Sequence, residues 1–172
     1  MAGHAVEQLD FLGREFLTWL WFRCEVDGGL FPLEQGELGV VLGDYVKLVA
    51  PGDEHGEHTV RRESPHRSRA ARAALRAGRQ VAAVRLEMAL GEQSFSATID
   101  ADGFAVRSAK LPPVEGADER ERSQERMERV EELDDLLDAL FARFLSVRLS
   151  PAWEAEERPA IEAWIEQGGA AD

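Results

Sequence analysis

The segment 6–24 contains FLTWLWF (16–22), and Leu9, Leu12, Phe16, Trp19 and Leu20 recur in it at helical spacing. Leu17, Trp21 and Phe22 carry apolar character onto the remaining faces. A helix that is apolar on nearly every side has to be covered on several sides, by the rest of its own chain or by a second subunit. Trp19 and Trp21 lie about 200° apart on the helix wheel. The expectation is therefore that one enters the core while Leu17, Trp21 and Phe22 form a homodimer contact. The run is much shorter than the ~20 apolar residues that a membrane span requires, so no membrane partner is expected.

Downstream of VDGGLFP (26–32), whose paired glycines and proline break the chain, the pattern changes to strands. ELGVVLGDYVKLVA (37–50) reads as two short strands, or as one interrupted at Gly43-Asp44, and EHTVRR (57–62) can pair with it. Val84, Leu86, Met88 and Leu90 alternate, as do Phe95, Ala97 and Ile99, and GFAVRSA follows the DADG turn, which predicts a three-stranded meander. From Gly116 a long helix is expected, nearly all charge at first, with an apolar stripe from Met127 through Val130, Leu133, Leu137, Leu140 and Phe141 to Phe144. Pro151 ends or restarts it, and a short terminal helix broken at Pro159 follows. The predicted class is α+β: an antiparallel sheet of about five strands, an N-terminal buried helix, a short basic helix and a long C-terminal helix. Residues 1–115 form the core, and 116–172 a charged helical arm packed on it within the same domain.

Charge is distributed unevenly. The chain of 172 residues has a net charge of −13, yet RRESPHRSRAARAALRAGR (61–79) holds seven arginines against one glutamate. Ser64-Pro65 suits the start of a short helix and Gly78 its end. On the wheel Arg69, Arg72, Arg76 and Arg79 fall within about 80°, opposite small residues that let the helix lie close to a sheet. Guanidinium groups held on such a platform suit bidentate contact with phosphate oxygens. With no zinc-finger spacing and no helix-turn-helix, such binding would ignore base sequence. The DNA-binding residues expected are Arg69, Arg72, Arg76 and Arg79, with Arg61, Arg62 and Arg67 adding longer-range attraction. The structural alternative is a solvated face, or an internal partner for the acidic helix at 115–138.

Other candidates are weaker. GDEHGEH (52–58) gathers carboxylates and histidines, but a His-x-x-His turn alone does not define a metal site, and none is expected. Asp100 and Asp102 lack the full calcium-loop pattern. Cys24, the only cysteine, has no histidine partner evident in sequence and fits a reducing compartment. No phosphate-cradling glycine loop, nucleophile elbow or nuclease carboxylate cluster occurs, so neither catalysis nor a cofactor is expected.

FLGREFLTWLWFRCE (11–25), AALRAGRQVAAVRLEMALGEQSFSATIDADGF (73–104), AKLP (109–112) and LDDLLDALFARFL (133–145) together resemble the C-terminal part of the RdgC family, the recombination-associated proteins. The shared order is a basic helix, the step Gly78-Arg79-Gln80-Val81 into a strand, a strand pair ending at Lys110-Leu111, and a closing helix. The resemblance implies a homodimeric, nucleoid-associated cytoplasmic protein that binds DNA without sequence preference, with Arg79 the best-matched basic position. The alternative is a protein-interaction module acting through its acidic helix, with no DNA binding.

Overall fold

The all-round apolar segment forms α1, Gly3–Val26, and the other elements are arranged to cover it. The computed structural model describes residues 3–61 and 64–167, and of residues 3–11 and 53–55 the backbone alone. After α1 come β1 (Leu30–Leu33), β2 (Gly36–Ala50), β3 (Asp53–Arg61), a 3₁₀ turn at Pro65–Arg67 and α2 (Arg69–Arg76). Then follow β4 (Gln80–Leu90), β5 (Gln93–Asp100), β6 (Val106–Lys110), α3 (Glu119–Arg148), a π-helical turn at Trp153–Glu157 and α4 (Arg158–Gln167). The expected α+β class holds, and the meander β4-β5-β6 is present.

The antiparallel sheet has six strands in the order β1-β2-β4-β5-β6, with β3 also on β2. Strand β2 is long enough to take two partners on one edge, β1 against Gly36–Gly39 and β3 against Tyr45–Ala50, while β4 occupies the other edge. Strand β1 lies within the segment read from sequence as a chain break. An edge strand tolerates Pro32, because one side of its backbone needs no ladder partner.

Alternation assigns the two faces of the sheet. Leu38, Val40, Leu42, Val46 and Leu48 of β2 are buried, with Val84, Leu86 and Met88 of β4 and Phe95, Ala97 and Ile99 of β5. Helix α1 packs against β4 and β2, and α3 and α4 close over its far side. Phe16 lies 5.2 Å from Phe141 and 5.6 Å from Phe144, and Trp19 is 5.6 Å from Phe144. On α4, Trp164 meets Trp21 and Phe22 edge-on, 5.7 Å from each. Leu17, Trp21 and Phe22 are thus 0%, 1% and 4% exposed. This corrects the expected homodimer contact at these three residues: the chain's own sheet and helices already cover them.

The short elements also differ from expectation in instructive ways. Ser68, not Ser64, caps α2, its hydroxyl accepting from the Ala71 N–H; Ser64 precedes the 3₁₀ turn. Gly78, at φ 83°, ends the helical segment as expected. Asp118 caps α3 by accepting from the Glu121 N–H at 2.9 Å, while Glu121 accepts from the Ala117 N–H at 2.8 Å. The buried stripe of α3 begins at Leu133; Met127 and Val130, expected in it, are 66% and 46% exposed. Pro159 does not break the terminal helix. It sits in the first turn of α4, where a missing N–H is tolerated, directly after the π-helical turn. Among the described residues no helix is long and apolar enough to cross a membrane.

Helix α1 approaches the β5–β6 turn at Gly13, where an added Cβ would lie 2.2 Å from the Ala101 carbonyl oxygen. That carbonyl is backbone, fixed because the Ala101 N–H donates to Ala82 O at 2.8 Å. Gly→Ala inside a helix ordinarily stabilises by about 1 kcal/mol. Here the overlap reverses the sign, and Gly13→Ala is expected to destabilise by about 1–3 kcal/mol in urea unfolding.

Candidate nucleic-acid interface

The arginine segment divides into outward and inward members. Arg67 in the 3₁₀ turn and Arg69 and Arg76 on α2 are exposed. Arg61, at the end of β3, is exposed with its guanidinium 5.6 Å from the Tyr45 ring centroid. Arg62 lies outside the described residues. Arg72 faces inward: its side chain is 12% exposed, donates to Glu25 and lies 4.6 Å from the Trp164 ring centroid. The expectation that Arg72 meets phosphate is corrected. It stands about 60° around the helix from buried Leu75, at the margin of the packed arc, and its long stem reaches under α4 to a carboxylate on α1. Arg79 is half-buried and donates to the Gly56 carbonyl, tying the end of the α2 segment to β3.

No described ion pair joins the acidic half of α3 to Arg61, Arg67, Arg69, Arg72 or Arg79. Within the helix Arg122 and Arg126 pair with Glu119, and Arg129 with Glu132.

A second group of cations is assembled by sheet register. On the face away from the helices, Arg61 pairs with Tyr45, the irregular stretch of β2 at 43–45 lies opposite Arg85, Arg85 pairs with Thr98, and Thr98 with Arg107. One row therefore crosses five strands, about 19 Å at ~4.8 Å per strand. Lys110 joins it through a bulge: β6 advances from Arg107 to Lys110 while β5 advances only from Thr98 to Ser96, and Ser108 takes up the extra residue at φ 52°. These side chains line a cleft of about 560 Å³.

Arg85 is held in place. Its Nη2 donates to Ser96 Oγ at 2.7 Å, and its stem lies across Gly43, where a Cβ would come within 3.0 Å of Arg85 Cγ. Two acids temper the cleft: exposed Asp44 in its wall, and Asp100, which accepts from Arg107 Nη2 at 2.6 Å. Among the described residues Arg61, Arg85 and Lys110 have no carboxylate partner. Sequence reading missed Arg85, Arg107 and Lys110 because each stands alone in the chain and only strand register unites them.

The remaining candidates are quieter. Among the described residues no three His, Cys, Asp or Glu side chains converge; the side chains of Asp53, Glu54 and His55 lie outside that description. Cys24 donates to Val40 O at 3.2 Å, and burial, reinforced by Glu25, pushes its thiol from 9.0 up to about 12.

Two outcomes follow. Arg72→Ala strands Glu25 beneath α4 and is expected to destabilise by about 2–3 kcal/mol, whereas Arg69→Ala changes stability by less than about 0.5 kcal/mol; thermal unfolding distinguishes them. Cys24 stays protonated at pH 8 in the native protein, so its reaction with a disulfide reagent is at least tenfold slower than after unfolding. The raised thiol pKa contributes stability that is complete below about pH 9 and is lost as pH rises toward 12.

No family model, curated protein or solved structure matches the chain.

Proposed function

We propose that this chain binds the sugar–phosphate backbone of nucleic acid, without catalysis and without reading base sequence, through the open face of its sheet and the outward arginines that continue from Arg61. The observation that carries this reading is the row of cations across the sheet, Arg61, Arg85 and Arg107 with Lys110 beside it. Arg61, Arg85 and Arg107 stand on alternate strands, about 9.6 Å apart at ~4.8 Å per strand, and Arg85 is held in place before any ligand arrives. Exposed Arg67, Arg69 and Arg76 extend the positive field beyond the cleft. The chain's net charge of −13 disfavours binding by its whole surface. Local potential governs instead, since charges farther away than the Debye length of about 8 Å at physiological salt are largely screened. The resemblance to the recombination-associated family points to DNA as the polymer and to recombination or replication as the setting.

The test is fluorescence anisotropy with labelled oligonucleotides of several sequences across a potassium chloride series. Wild type is expected to bind all sequences alike, with affinity falling steeply as salt rises. Changing Arg61, Arg85 and Lys110 together to glutamine is expected to weaken binding at least tenfold. It should also flatten the slope of log K against log salt by about 2–3, at roughly 0.7–0.9 per lost phosphate contact. A folded wild type that binds no oligonucleotide at low salt would sink the reading.

A further inference from the structure

Resting on the nucleic-acid reading, we infer that the open-face cleft takes a single strand rather than a duplex, with one base stacked at Tyr45. Tyr45 is the chain's only tyrosine and stands half-exposed in the middle of the cationic row. Its ring is flanked by Arg61, with the guanidinium 5.6 Å from the ring centroid, and by Arg85 across the irregular stretch of β2. A phosphate site alone has no use for an aromatic ring there. In a duplex the base faces are already stacked on one another, so Tyr45 can gain a partner only from an unpaired base. Arg61 can leave the ring for a phosphate while a base takes its place.

The recess itself points the same way. Its volume of about 560 Å³ falls in the range of small-ligand sites, about 300–1,000 Å³, which suits one or two nucleotides. Within the recess, Thr98 lies in the row of Arg85 and Arg107, where its hydroxyl can meet sugar or base edges. Gly43 lets the Arg85 stem lie flat, and a larger residue there would lift it toward the incoming base. The bulge at Ser108 turns Lys110 to the same face, so cations flank the ring along the row and beside it. Asp44 and Asp100 keep the potential moderate, which leaves stacking a large share of affinity.

The experiment is competition against a labelled oligo-dT 15-mer by unlabelled dT, oligo-U, a mixed-sequence duplex of equal length and inorganic polyphosphate, matched for phosphate. The single strands should compete at least tenfold better than duplex or polyphosphate. Tyr45→Ala should weaken dT binding about tenfold and duplex binding at most twofold, while Tyr45→Phe keeps wild-type affinity. With ring-labelled tyrosine the single Tyr45 signal should move upfield on adding dT and stay still on adding duplex, a readout that does not depend on any variant folding. Equal competition by duplex, or a stationary Tyr45 signal on saturation with dT, would overturn the single-strand inference and leave backbone binding standing. Superior competition by polyphosphate would overturn it in favour of a base-free polyanion. If none of the polymers binds, the nucleic-acid reading falls and the inference with it.

Discussion

Everything in this fold depends on enclosing α1. Phe16, Leu17, Trp19, Leu20, Trp21 and Phe22 need cover on several sides of the helix, so the sheet lies along one flank and α3 and α4 along the other. The aromatic contacts of Phe16, Trp19, Phe141 and Phe144 bring the long C-terminal helix to within packing distance of α1. They also explain why residues after 116 belong to the same core as the strands. Two polar clamps fix the register of these layers. Glu157, on the π-helical turn, accepts from Trp19 Nε1 and from Arg23 Nη2, each at 2.7 Å. Glu25 accepts from Arg72 and from Trp164 Nε1, joining α1, α2 and α4 at one point. Buried charges like these are retained only where every oxygen finds a donor, and here both carboxylates do.

Using the helices on one face determines what the other face can be. An antiparallel sheet may leave one side to solvent, and here that side collects Tyr45, Lys47, Arg85, Ser96 and Thr98. Its irregularities are constructive. The stretch at 43–45 in β2 and the bulge at Ser108 in β6 redirect side chains that a regular ladder would have sent elsewhere. The cleft is thus a product of departures from ideal pairing.

Much of the architecture was legible in sequence, because periodicity reports burial directly. The 3.6-residue pattern of α1 and the alternation of β4 and β5 located those elements to within a few residues. Short-range chemistry was harder to read: Ser64-Pro65 looked like the helix start, but the 3₁₀ turn intervened and Ser68 became the cap. Pro32 suggested a break because its tolerance depends on which strand is at the edge. The dimer contact was misplaced at Leu17, Trp21 and Phe22 for a related reason: apolar character on all faces of α1 states that cover is needed, not which chain supplies it. The site was least legible. Arg72 has its carboxylate partner 47 residues away, and Arg61, Arg85 and Arg107 become neighbours only through register.

The layering also makes the molecule two-sided in charge. Acidic side chains, among them Asp134 and Asp138 of α3, Glu154 of the π-helical turn and Glu162 of α4, are exposed on the helical layer, with Arg67, Arg69 and Arg76 at its α2 corner, while the cations of the cleft occupy the opposite side of the sheet. Such a body behaves as an electric dipole on top of a net negative charge. On the proposed reading, a polyanion is repelled over the acidic stretch of α3 and drawn in at the sheet only at short range. Encounters are therefore sorted by orientation before contact. On that reading, a surface crowded with anionic neighbours would align copies with the cleft inward and the carboxylates of α3 outward.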